Sequence, residues 1–300
     1  MYAVIDIGSN TIRLKVYKVV KGQFESVVDK KEFAKLISYR SDGKMTDEGI
    51  EICVSVLDRM LNLIKLLKVK DYYVIATAPF RNIDNASDVI LQVKEQTGIV
   101  INVLSGEDEA YYSYIGAKAS TLVNEGLLTD IGGGSTELVF FKDSVELNKI
   151  SLPCGSLNMQ KEFYKDVDGF DFETKWIKKR VLNYLNENKF DETIMHKDVI
   201  IGVGGTVRAL LKLKRSETGL NDNEFSYDDV RRWYQVLKQN PIKWIKELLL
   251  IIPERVYTIT TGLIILKTVM SYVNASRVIV SQYGVREGYL SYILSLRSQE

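Results

Sequence analysis

Two segments of the chain spell nearly the same phrase: YAVIDIGSNTIRLKVY near the N-terminus and LLTDIGGGSTELVFF from Leu127 to Phe141. In each, an apolar strand-like run reaches an aspartate, breaks at a glycine turn that carries a hydroxyl, and resumes as a second apolar run. Laid over each other, Asp6 falls on Asp130, Ile7 on Ile131, Gly8 on Gly132, Thr11 on Ser135 and Leu14 on Leu138. Internal similarity decides the fold class before any other reading. It predicts two like domains facing each other across a cleft, where ligand sites are commonly built, and 300 residues is enough for two domains of about 150.

The pattern around each phrase repeats as well. YAVIDIG and TIRLKVYKVV read as a hairpin, with FESVVDKKEFAKLIS able to supply a third strand. Thr46 is placed to cap a helix whose apolar positions Ile50, Val54, Leu57, Leu61, Ile64 and Leu67 recur at helical spacing. A strand at 72–76, a helix at 86–96, a strand at 99–104 and a helix at 107–119 follow. The second half offers LLTDIG, STELVFF and VELNKISLP as strands, then helices around 156–165 and 172–188 and a strand at 198–204. The helix TVRALLKLK, helices near 227–239 and 254–272, a strand at 277–281 and a last helix from Arg286 complete it. The expected domains are 1–120, with the helix 286–300 packing back on it, and 121–285.

Composition narrows the function. Lys and Arg total 40 against 39 acidic residues, so a polyanion must be held by local geometry rather than by a general basic surface, and nucleic acid is not an expected partner. Two cysteines without CxxC spacing and one histidine, His196, exclude a thiol-based metal site. The N-terminus opens directly into a strand pattern, and no later stretch reads as apolar for the length of a membrane span. A reduced, cytoplasmic protein without a membrane partner is expected.

The glycine turns carry the chemistry. Glycines let backbone N–H groups approach an anion closely and adopt positive φ, so Gly132, Gly133, Gly134 and Ser135 can form a nest for phosphate oxygens. A carboxylate such as Asp130 beside bound phosphate is repulsive unless a cation lies between, and Mg²⁺ is held through one or two carboxylates, waters and substrate phosphates. The alternative for a single copy is a tight hairpin turn. The copies differ in one register: Arg13 follows the first turn, Glu137 the second. Strand alternation puts Glu137 on the face of Val139, where a buried acid would order a water or pair across the sheet, for instance with Arg81.

DIGSNTIRL, ATAPFR, SGEDEA, DIGGGSTE, GVGGTVRAL and SQYGVREG, in this order and spread over nearly the whole chain, resemble the Ppx/GppA family of exopolyphosphatases and guanosine pentaphosphate phosphohydrolases. That family lies within the actin, Hsp70 and sugar kinase superfamily. The resemblance implies an α/β fold of two RNase H-like (actin-like ATPase) domains, each a mixed sheet flanked by helices. It implies Mg²⁺ as cofactor, water as nucleophile, and removal of the terminal phosphate from inorganic polyphosphate or from pppGpp. Glu109 matches the family's catalytic base, Arg81 its phosphate-binding arginine, and Asp6, Asp130 and Glu137 its acidic metal and water-ordering positions. The first turn, Gly8, Ser9, Asn10 and Thr11, matches a phosphate-binding position. Gly204, Gly205 and Thr206 match a loop that could admit a nucleotide, or that simply packs a helix onto its strand.

Departures bear on this. ATAPFRNI replaces a segment normally resembling ATSALR(D/E)A, so Pro79, Phe80 and Asn82 alter the setting of Arg81. The chain ends one helix past SQYGVREG, and the short form lacking an HD-type extension is expected to grip long chains less processively. Gly284 and Arg286 are read as structural. Basic clusters at Lys175, Lys178, Lys179 and Arg180 and at Lys212, Lys214 and Arg215 read as solvated faces or as an exit channel. Four functions are ranked: polyphosphate hydrolysis, pppGpp hydrolysis, an ATP-dependent kinase, and a non-catalytic nucleotide or polyphosphate sensor. Family analogy adds a homodimer as the expected assembly.

Overall fold

The computed structural model describes residues 1–20, 23–163, 174–188, 190 and 195–298. The chain divides into two compact units, Met1–Glu109 with Tyr289–Glu300, and Ala110–Gly288.

The first unit is built on a five-stranded sheet of order β3-β2-β1-β6-β7. Its strands are β1 (Tyr2–Ile7), β2 (Ile12–Val20), β3 (Gln23–Glu32), β6 (Asp71–Ala76) and β7 (Ile101–Val103). The first three form an antiparallel meander, while β1, β6 and β7 run parallel. Helix α1 (Asp47–Leu66) starts where Thr46 Oγ1 accepts from the Gly49 N–H, and its buried stripe Ile50, Val54, Leu57, Leu61 and Ile64 lies in the core with Ile5, Ile7, Ile12 and Leu14. A cap of this kind is worth about 1 kcal/mol; the buried stripe supplies more, about 1.5–3 kcal/mol for each large apolar side chain.

Two small features were not legible in the sequence. A hairpin of β4 (Arg40–Ser41) and β5 (Lys44–Met45) is pinned by paired bonds between Met45 and the Asn85 amide. A single helical turn, α2 (Ala78–Arg81), follows β6; Pro79 sits in its first turn, where no N–H is required, and Phe80 is fully buried in the core. The departures from the family pattern in ATAPFRNI are thereby explained: one starts the turn and the other anchors it. Helix α3 (Ala86–Thr97) packs against α1.

In the second unit the same scheme recurs with one strand more, in the order β10-β9-β8-β11-β13-β12. Strands β8 (Gly126–Ile131), β9 (Thr136–Lys142) and β10 (Val145–Leu152) form the antiparallel meander, and β8, β11 (Val199–Val203) and β13 (Arg277–Val280) run parallel. The added edge strand β12 (Glu224–Ser226) is too short to read from sequence. Both faces of this sheet are covered, which is why LLTDI and LVFF are continuously apolar rather than alternating. Leu127, Leu138 and Phe140 face the larger core, whereas Leu128, Val139 and Phe141 face Ala110, Tyr114 and Ala117 of α4 (Gly106–Lys118).

Helices α5 (Ser156–Phe163), α6 (Thr174–Glu187), α7 (Gly204–Thr218), α8 (Tyr227–Gln239), α9 (Pro241–Ile251) and α10 (Val256–Val273) complete this unit. Residues 164–173, where one expected helix was to end and the next to begin, lie outside the described residues. Helix α9 is not among the helices expected from the sequence; its signal is the Asn240–Pro241 pair, in which the Asn240 side chain accepts from the Lys243 N–H and Pro241 opens the first turn. Trp233 and Trp244 are buried with their indole N–H groups on Glu217 and Thr260, both at 2.8 Å.

The expectation that no stretch is apolar enough for a span needs correction. Pro253–Val273 passes by length and composition, and most of it is buried in the protein core, where α10 packs on α5, α6 and α8. The last helix, α11 (Val285–Arg297), begins with Gly284 donating to Glu287 Oε2 at 2.9 Å, and Gly284 lies too close to Gly116 for a side chain at that position. Farther along, Tyr289 accepts from Asn102, and Arg297 pairs with Asp71 at 2.9 Å.

Candidate active site

In the first unit, β1 delivers Asp6 opposite Arg13 of β2. Arg13 Nε and Nη2 donate to the two carboxylate oxygens of Asp29 of β3. The turn between the strands is closed by Gly8 N–H donating to Thr11 O at 3.0 Å. Its carbonyls are taken up from outside: Ser9 O accepts from Ile37 N–H (3.1 Å) and Asn10 O from Lys35 N–H (2.9 Å). The amides of Ser9 and Asn10 donate no hydrogen bond among the described residues, although Ser9 is buried. Because buried backbone donors are nearly always satisfied, a turn wired through its carbonyls and open at its amides fits an anion.

The second unit repeats this wiring in outline. Gly132 N–H donates to Ser135 O at 2.9 Å. The carbonyls of Gly132, Gly133 and Gly134 accept from Ser156, Leu157 and Asn158 at the start of α5. The amides of Gly133 and Gly134 donate to nothing among the described residues. Even the strand ends correspond, with Ile7 O accepting from Thr77 N–H (3.2 Å) and Ile131 O from the Thr206 hydroxyl (2.9 Å).

The expected backbone of the nest is different, however. None of Gly8, Gly132, Gly133 or Gly134 has a positive φ. The tight Gly–Thr and Gly–Ser turn bonds are made with ordinary negative φ, and the left-handed residue of this region is Gly204, at φ 85°.

Arg81 stands at the end of α2, its Nη1 donating to Leu104 O (3.0 Å) and Glu109 Oε2 (2.9 Å). Both side chains of this ion pair are mostly buried. Glu109 lies in the first turn of α4, whose start is fixed by Ser105 and Asp108: each N–H donates to the other's side chain. Asp108 and Glu107 are exposed, so of the three acids in EDE only Glu109 is held inward.

Asp130 and Glu137 are direct cross-strand partners at the turn end of β8 and β9, so their side chains share one face. Glu137 is fully buried, with Oε1 accepting from Ser151 Oγ at 2.7 Å. Asp130 Oδ2 accepts from Ser113 Oγ at 3.3 Å. Its other oxygen lies against Gly204, where any Cβ would collide with it. Two carboxylates on one face repel unless a cation is near, and their hard oxygen donors fit Mg²⁺, which binds through one or two carboxylates and completes its shell with water. Among the described residues, no three His, Cys, Asp or Glu side chains gather into an all-protein cage.

Gly205 and Thr206 start α7, and the guanidinium of Arg255 occupies the space a Gly205 side chain would need. Arg255 had no signal in the sequence, because it reaches this turn only through the placing of α10. Within the basic clusters, Lys214 pairs with Asp229, Lys212 with Glu254 and Arg180 with Glu162. Cys154, near Glu137, has its thiol pushed up to about 12 by burial, so it is no nucleophile at neutral pH. His196 is exposed.

The molecule therefore belongs to the class of α/β proteins with two RNase H-like domains of the actin-like ATPase type, each with an aspartate and an amide-lined turn at the end of its first strand. Residues 15–296 match the model of the Ppx/GppA phosphatase family, and the chain belongs to that family of hydrolases acting on phosphoric anhydride bonds. It is similar to the solved structure of an Aquifex aeolicus Ppx/GppA family member at 26% identity and TM-score 0.82, covering 100% of this chain and 98% of that one. An exopolyphosphatase from Cytophaga hutchinsonii has the same fold at 21% identity and TM-score 0.87, covering 98% and 97%.

Proposed function

We propose that this protein is an exopolyphosphatase that releases terminal orthophosphate from inorganic polyphosphate by Mg²⁺-dependent attack of water. The observation that carries this reading is the turn with spent carbonyls and open amides, found in each unit: each such turn suits phosphate oxygens. Glu109 acts as the base that takes the proton of the attacking water, and Arg81, bonded to it, grips the terminal phosphate. Glu137, fixed by Ser151, orders water. Asp130 would hold Mg²⁺, which when bound neutralises charge on the phosphate oxygens as the bond to the leaving phosphate breaks.

A second reading, hydrolysis of the 5′ phosphate of pppGpp, is favoured by the Gly204–Thr206 turn with Arg255 lying on it, a place where a nucleotide's phosphate and sugar could be held. Phosphate release from polyphosphates of defined length, pppGpp and ATP, with and without Mg²⁺, tests both. Polyphosphate is expected to be the faster substrate and to need the metal. Faster release from pppGpp would replace the first reading by the second, and release from none would point to a sensor.

A further inference from the structure

Helix α8 presents Arg231, Tyr234, Gln235 and Lys238 at helical spacing along one face. With Gln239 and with Lys267 of α10, they line a cavity of about 310 Å³, the lower end of the range for small-molecule sites. No acid lines it.

Two cations converge here around the ring of Tyr234. Lys267 Nζ lies 4.9 Å from the centre of Tyr234 and 5.7 Å from that of Tyr227, and Lys238 Nζ lies 6.0 Å from Tyr234. Lys267 is half-buried on a helix whose residues from Thr258 to Val273 are otherwise nearly all buried. The Tyr227 hydroxyl, bonded to Ser271 at 2.9 Å, is pulled below its ordinary pKa by that bond and by Lys267. The ion pair of Arg231 with Asp228 is exposed on both sides and neutralises little. Gathering like charges in a concave place costs electrostatic energy and attracts counter-ions. This cluster has carboxamides and a phenol ring between its cations. Such donors, all hydrogen-bearing, recognise oxyanions.

We propose that this cavity is an accessory oxyanion site, taking a phosphate-class ligand: a segment of inorganic polyphosphate or free orthophosphate. In that choice of ligand it rests on the reading of the substrate given above; its test reads binding without turnover, so the two can fail separately.

The test is calorimetric titration of the full chain, in EDTA, with inorganic tripolyphosphate and separately with orthophosphate. The double variant Arg231→Gln, Lys238→Gln replaces exposed side chains and leaves Lys267 in place. Its thermal midpoint without anion is expected to match that of the unaltered protein. One class of binding should weaken by about tenfold or more, the scale of a lost charge-assisted hydrogen bond. Gln235→Glu, which puts a carboxylate into the cavity, should weaken the same class. A response to tripolyphosphate alone assigns a chain segment, and a response to both assigns free phosphate as well. Unchanged isotherms for both anions would overturn the proposal. So would an equal loss in Lys175→Gln, Lys178→Gln, a charge-matched change on α6, because the binding would then be general attraction.

Discussion

Asp130 faces Glu137 across the β8–β9 hairpin in the same register in which Asp6 faces Arg13 across β1–β2. The duplicated scaffold thus carries two acids in one copy and an acid with a base in the other. In the second copy two acids share one face, and there a divalent cation would relieve repulsion. Asp130→Asn is expected to raise the Mg²⁺ concentration for half-maximal phosphate release by at least about tenfold, a typical cost of disturbing a metal site. A Mg²⁺ titration of activity checks this; an unchanged requirement would make Asp130 a turn residue only.

Gly204 meets two demands at once, a φ of 85° and contact with Asp130. Gly204→Ala should therefore destabilise the fold by about 1–3 kcal/mol, the cost of a strained left-handed residue, and lower activity as well by pushing Asp130 aside. Denaturant unfolding and phosphate release are the measurements. A variant as stable and active as the parent would show that this turn adapts freely.

Asp229 links the cap of α8 to the Lys214 ammonium: its Oδ2 accepts from Ser226 N–H (2.9 Å), and both oxygens lie 2.8 Å from Lys214 Nζ. Burial alone would raise its pKa, but Lys214 and Ser226 outweigh that and hold it below the ordinary carboxylate value. A depressed folded pKa contributes stability above the unfolded value, near 4, that is lost as pH falls through the folded one. Chemical denaturation from pH 6 down to pH 2 should show Asp229→Ala less stable than the parent at pH 6, with the difference shrinking below about pH 4. A constant difference would deny the ion pair its part.

Most of the scaffold was readable because its signals are local. Asp6-Ile-Gly and Asp130-Ile-Gly mark strand ends, Thr46 marks a cap, and the stripe of α1 gives its buried face. What escaped depends on contacts distant in sequence. Arg255 reaches Gly205 only through the path of α10, and the Ser151 partner of Glu137 depends on strand pairing. Gly133 and Gly134 suggested positive φ because glycine permits it. The chain instead satisfies the turn by giving its carbonyls to α5, a choice that residue types alone do not encode. The short pieces β12 and α2 lack the length over which periodicity can be recognised.

The central claim, that Glu109 held by Arg81 is the base for water attack, is tested most directly by Glu109→Gln. The amide keeps the shape and a hydrogen-bond acceptor for Arg81 but takes no proton from water. Steady-state phosphate release from polyphosphate in saturating Mg²⁺ should fall by at least about a hundredfold, while equilibrium binding of the same polyphosphate stays within a few-fold of the parent. Undiminished turnover by the Gln variant would contradict the account.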